Sequence, residues 1–171
     1  GGWEMPIQYP SGIIAEHLYT RQVCGLFDVS HMGRLLIEGP QRKEFLQHVL
    51  TSNVGALDLN MAQYCIIPNE NGAVDDAYLY LFQEDSYLLV VNAANIDKDL
   101  EHLNRALSGF DCTITNISDQ WASIAVQGPK SKEMLMTLTG GVSPTKEPTK
   151  NSLGTVSLEG RQARIAKTGY T

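Results

Sequence analysis

The stretch from Ala62 to Asn92 leaves little choice of fold. Runs dominated by apolar and aromatic residues, over 62–67, 74–82 and 86–92, are separated by the turn-forming sequences Asn69-Glu-Asn-Gly72 and Gln83-Glu-Asp-Ser86. Strands joined by connections this short must pair antiparallel, because a parallel crossover needs a far longer link. Around this meander the apolar spacing predicts helices over 41–50 and 96–107 and a further strand over 111–116. Asn95 is a suitable N-cap for the second helix, and Asp97 and Asp99 in its first turns are favoured by the helix dipole. A sheet with one apolar face buries it against helices. The expected class is therefore α+β, antiparallel sheets with helices packed on one face.

A strand, a Gly-Pro break and a helix-spaced apolar run occur twice, in Leu35-Leu-Ile-Glu-Gly-Pro-Gln-Arg-Lys-Glu-Phe-Leu46 and in Ser123-Ile-Ala-Val-Gln-Gly-Pro-Lys-Ser-Lys-Glu-Met-Leu135. Pro40 and Pro129 are expected in a first helical turn, where the missing N–H costs nothing. Gly-Pro is no phosphate loop, since it offers neither GxGxxG nor GxxxxGK. After Gly140-Gly141 the chain turns polar and proline-bearing up to Asn151, then predicts a hairpin of 154–158 and 163–166 around Glu159-Gly160. One domain over 1–171 is expected, with 34–116 as an α+β module inserted between 1–33 and 117–171. Both ends read as cut, the first because Gly1-Gly2-Trp3 lacks methionine.

A formal net charge of −6 argues against nucleic acid, which needs a basic face to replace phosphate counterions. The longest apolar runs, such as Tyr87-Leu-Leu-Val-Val91, are far shorter than the roughly 20 residues of a membrane-spanning helix. No membrane partner is expected, and a cytoplasmic location is, or the mitochondrial matrix if the source is eukaryotic. The 3 cysteines, Cys24, Cys65 and Cys112, form no CxxC pair and read as reduced thiols. The 4 histidines lack HExxH or HxH spacing, so no metal is expected.

Two adjacent carboxylates stand near the start of Ala73-Val-Asp-Asp-Ala-Tyr-Leu-Tyr-Leu-Phe82. Alternation puts Asp76 with Val74, Tyr78, Tyr80 and Phe82, and Asp75 with Ala73, Ala77, Leu79 and Leu81. Asp75 is then the inward acid. A carboxylate on an apolar face needs a partner, which is either a structural donor or a ligand's N–H groups. Asp28-Val-Ser-His-Met32 is a second polar insert, read most simply as a turn in which Asp28 and Ser30 satisfy backbone groups. Its spacing does not build a Ser-His-Asp triad. Asn92, at a strand end, is either a cap or an amide that reads a ring edge.

Gly2-Trp3-Glu-Met-Pro-Ile-Gln-Tyr9, Gly25-Leu-Phe-Asp-Val-Ser-His-Met32, Asn71-Gly-Ala-Val-Asp-Asp76, Val90-Val-Asn-Ala93, Lys98-Asp-Leu100, Ala125-Val-Gln-Gly-Pro129 and Thr168-Gly-Tyr-Thr171 occur together in one order. In that order and spacing the chain resembles the aminomethyltransferase of the glycine cleavage system, the T-protein. The resemblance implies tetrahydrofolate as cofactor and the lipoylated H-protein as partner. It implies transfer of a methylene group from the lipoyl-bound aminomethyl group to tetrahydrofolate, with release of ammonia and formation of 5,10-methylenetetrahydrofolate. It makes Asp75 the essential acid, orienting the attacking nitrogen and stabilising positive charge in the transition state. Met32 and Tyr64 are implied as pocket walls, Leu89 and Asn92 as pterin contacts, and Tyr170 as an entrant from the other side.

The resemblance also implies a longer protein, since the family continues past Thr171 with a further pterin-binding acid, so this stretch alone is expected to be inactive. Two alternatives stay open. One is the folate-binding region of a sarcosine or dimethylglycine dehydrogenase, and the other is a non-catalytic folate-binding module. A relative concerned with iron–sulfur maintenance carries cysteine where Lys167-Thr-Gly-Tyr170 has glycine.

Overall fold

The computed structural model describes residues 3–141, 143, 145 and 149–169. Its elements run α1 (Ile13–Gln22), β1 (Gly25–Asp28), β2 (Gly33–Glu38), α2 (Arg42–Val49), β3 (Met61–Asn69), β4 (Gly72–Gln83), β5 (Ser86–Val91), α3 (Ile96–Ala106), β6 (Thr113–Asn116), β7 (Ile124–Gln127), α4 (Ser131–Leu138), β8 (Leu153–Leu158) and β9 (Arg161–Ala166). The expected meander is the heart of a five-stranded sheet of order β3-β4-β5-β2-β6, antiparallel at every pairing. β1 pairs with β7, and β8 with β9, in two smaller sheets. The class is α+β, as its alternation and helix spacing require.

Register shows why one face is dry. Leu35, Leu89 and Leu79 lie side by side across β2, β5 and β4, and all are fully buried. Phe45 and Leu46 of α2 and Leu103 of α3 close over them in one apolar cluster. Phe110 meets Phe45 edge-on at 5.6 Å, a favoured aromatic geometry. The opposite face carries Tyr78, Tyr80 and Phe82 in a ladder along β4, with ring centroids 5.7 and 6.0 Å apart. Part of that face is covered by the β8–β9 hairpin: Tyr78 donates to Asn151 Oδ1 at 3.4 Å, and the Arg164 guanidinium sits 5.2 Å from the Phe82 ring and 4.6 Å from Trp121. Positive φ at Glu159 and Gly160 is what a tight hairpin turn demands.

The two Gly-Pro breaks need a correction. α2 starts at Arg42 and α4 at Ser131, so Pro40 and Pro129 each precede the N-cap and stand outside the first helical turn. The glycine is the stricter requirement. Gly39 has φ of 115°, and a Cβ there would fall 2.7 Å from the Cys112 Cα. Gly128 has φ of 127° and would meet the Thr20 carbonyl oxygen at 2.6 Å. Each glycine lets the chain press against a neighbouring segment before the helix begins.

The cysteines are free, with Cys65 pushed up to about 12, first by burial and then by Asp76. Among the described residues no helix is long and apolar enough to cross a membrane.

Candidate functional site

At the end of the sheet where β4 begins and β5 ends, the register aligns Ile66 with Asp76, Ala77 with Val91, and Gly33 with Val91. That alignment brings Asp75 and Asp76, Asn92 just after β5, and Met32 just before β2 to the same edge of the fold. The pairing of β3 with β4 slips between Ile67 and Pro68, so Val74 has no partner opposite. A proline cannot donate to the ladder, and the extra residue makes a bulge that re-aims the chain next to Asp75. Val74 consequently packs against the core cluster and leaves the tyrosine face on which strict alternation puts it. Lys98 Nζ donates to its carbonyl at 2.8 Å.

Asp75 is half-buried and Asp76 exposed, so the inward acid is the first of the pair. Asn92 Nδ2 donates to Asp75 Oδ1 at 2.9 Å, to Asp76 Oδ1 at 3.0 Å and to the Asp76 carbonyl at 3.2 Å. With two hydrogens for three acceptors, one bond is shared, and the amide ties both acids together. Burial pushes the Asp75 carboxyl up, but hydrogen bonds from Asp99, Asn92 and Asn95 and from the Asp76 backbone outweigh it and hold it below its ordinary value. On the open face stands Tyr64, 52% exposed, edge-on to Tyr78 at 5.8 Å. Its hydroxyl is pushed up, first by its hydrogen bond to Asp76.

The other expected site residues are distributed unevenly. Met32 is half-buried in the turn where its N–H reaches the Val29 carbonyl at 3.1 Å. Leu89 is fully buried in the core row, so its side chain backs the sheet from the helix side and does not line the tyrosine surface. Tyr170 lies outside the described residues; close before it, Thr168 hydrogen-bonds Tyr80. Asp28 accepts from the Ser30 N–H at 2.8 Å, the turn its sequence suggests, and His31 lies against Trp3 at 6.1 Å. Among the described residues no group of acids, histidines and cysteines could hold a metal ion.

Asp99 and Asn95 are the residues that sequence reasoning assigned elsewhere. Asn95 occupies the N-cap position of α3 without a side-chain cap bond, and its amide serves Asp75. Asp99 is fully buried, whereas Asp97 is exposed. Its spacing from Ile96 and Leu103 puts it on the apolar stripe of the helix, which was the available signal. Burial, and then the hydrogen bond and negative charge of Asp75, push Asp99 up to about 7.

An acid whose folded pKa is raised binds more protons folded than unfolded, so its contribution to stability falls as pH rises from about 4 to about 7. Asp75, depressed, acts in the opposite sense and only below about 4. Asp99→Asn is therefore expected to match the parent in thermal stability near pH 4 and to exceed it increasingly up to pH 7. Melting curves across that range check this, and a constant difference would refute it.

The sequence pattern of the GCVT N-terminal domain matches residues 1–171. An aminomethyltransferase of Deinococcus deserti is 48% identical over 100% of this chain and 47% of its own length. One from Thermus thermophilus is 45% identical over 99% of this chain and 48% of its own. The chain thus spans about half the length of the curated relatives it matches. The crystal structure of glycine cleavage system aminomethyltransferase T from Bartonella henselae superposes with a TM-score of 0.80 at 33% identity, covering 92% of this chain and 42% of that one. Heterotetrameric sarcosine oxidase from Corynebacterium sp. U-96 shares the fold, with a TM-score of 0.63 at 16% identity, covering 92% of this chain and 78% of that one.

Proposed function

The chain belongs to the aminomethyltransferase family, in which it forms the GCVT N-terminal domain, and from that premise we propose that it supplies the acidic, pterin-reading half of a tetrahydrofolate-dependent aminomethyltransferase of glycine cleavage. The observation that carries the proposal is a half-buried carboxylate, Asp75, clamped by Asn92 at the edge of an open tyrosine surface. A flat heterocycle with N–H groups needs that combination, an aromatic wall and a fixed acceptor. Asn92 takes one of the two lone pairs of Asp75 Oδ1, and the other is the one through which Asp75 would accept from a ligand.

Tetrahydrofolate would supply the nitrogens that receive the one-carbon unit. The chain's own residues have an electrostatic task. Asp75 would orient a ligand N–H and stabilise positive charge as it develops, from a position that requires no reorganisation. Asn92 keeps that carboxylate in place, and Tyr64 with Met32 would bound the ring. The donor of the aminomethyl group would be a lipoylated H-protein, ammonia the leaving product and 5,10-methylenetetrahydrofolate the carrier formed. A cytoplasmic setting suits the bacterial relatives.

Calorimetric titration of tetrahydrofolate into the full-length protein tests this. A hydrogen bond to a charged group is worth about 1.5–3 kcal/mol, so Asp75→Asn should weaken binding by about 10-fold to 100-fold, and Asp76→Asn much less. Equal affinity for wild type and Asp75→Asn would end the proposal.

A further inference from the structure

We infer that Asp99 is a positioning residue for Asp75, holding the reacting-centre carboxylate through one proton shared between the two acids. The inference rests on the role proposed for Asp75. Asp99 is 0% exposed, and neither of its carboxylate oxygens has a donor. Asp75 Oδ2 is buried and equally without one. The two acids are electrostatic neighbours, each acting on the other's carboxyl. Two ionised carboxylates so placed would leave three buried oxygens unsatisfied and two like charges facing each other. A proton on Asp99 turns the pair into an O–H donor and a carboxylate acceptor.

The surroundings put no cation among the described residues within hydrogen-bond distance of Asp99, since the nearest, Lys98, stands 3.8 Å away. From β4 the charged groups are Asp75 and, beside it, Asp76. From α3 there is Lys98, whose Nζ stands 3.8 Å from Asp99 Oδ1 but 2.8 Å from the Val74 carbonyl, to which it donates. Asn92 and Asn95 give their amides to Asp75. Asp99 consequently has no donor of its own, and the proton it retains is the one it can offer. With Asn92 on one side and Asp99 on the other, the Asp75 carboxylate cannot rotate, and its remaining lone pairs point in a fixed direction. Asp99 itself is fully buried, so it acts through Asp75.

The test uses the full-length protein. At pH 6 ordinary carboxylates are ionised, so the infrared carbonyl stretch of a protonated acid should be visible in wild type and absent from Asp99→Asn. Asp99→Leu, which has no donor, should lower kcat about tenfold or more with a smaller change in the KM for tetrahydrofolate. Asp99→Asn, which can donate an N–H, should recover most of that loss. A folded wild type without the acid band would overturn the inference, as would Asn being as impaired as Leu, or Leu being unimpaired. Should Asp99→Leu fail to fold, the band and the Asn variant decide. Full turnover by Asp75→Asn would overturn the functional proposal and this one with it, whereas loss of turnover there with no acid band in wild type overturns this one alone.

Discussion

Turnover by the full-length protein is expected to fall about 10²-fold to 10³-fold in Asp75→Asn, the usual cost of removing one preorganised electrostatic group from a reacting centre. The substitution keeps the shape and removes the charge. It also gives Asn92 an amide to face where it had a carboxylate, so the clamp loses its stronger, charge-assisted bond. Asp76→Asn is the matched control, because Asp76 is exposed and its charge is screened by water. An exposed charge is worth below about 1 kcal/mol, so turnover should stay within about fivefold. A fall at Asp76 equal to that at Asp75, in steady-state assays with folate saturating, would remove the distinction between inward and outward acid on which the site is built.

Phe45→Ala should lower the stability of the fold by about 3–5 kcal/mol. Phe45 is fully buried at the centre of the cluster that joins α2 to the sheet, and Phe110 stacks edge-on against it. Truncation removes apolar area and leaves a cavity that a surrounding of Leu35, Leu46 and Leu79 can only partly close. Against a total of about 5–15 kcal/mol, such a loss is a large share. Urea unfolding should show a midpoint far below the parent with the slope unchanged. Ile7, 89% exposed, supplies the contrast, since Ile7→Ala should lie within about 0.5 kcal/mol of the parent. A Phe45→Ala cost below about 1 kcal/mol would mean that the core does not depend on this contact.

Much of this molecule is legible in local pattern. The hairpins of the meander and the β8–β9 hairpin follow from turn residues between alternating runs, and they appear at nearly the expected positions. α1 is the clearest omission: it buries none of its residues, so no apolar stripe marks it as a helix. The β5 strand marks a different limit. Tyr87-Leu-Leu-Val-Val91 is apolar at every position, and where both faces of a strand are covered alternation carries no information about which residue meets which layer.

The choice between Asp75 and Asp76 belonged to the sequence alone. A pleated strand sends neighbours to opposite faces whatever surrounds it, and counting back from Ala77, Leu79 and Leu81 identifies the inward acid without any tertiary contact. The partners of that acid belonged to the tertiary structure. The amide of Asn95 diverted from its helix cap and the pairing of Asp75 with buried Asp99 depend on how α3 is seated against the end of β4. Periodicity is a property of bonded neighbours, whereas that seating is set by the packing of the whole core, and no repeat along the chain encodes it.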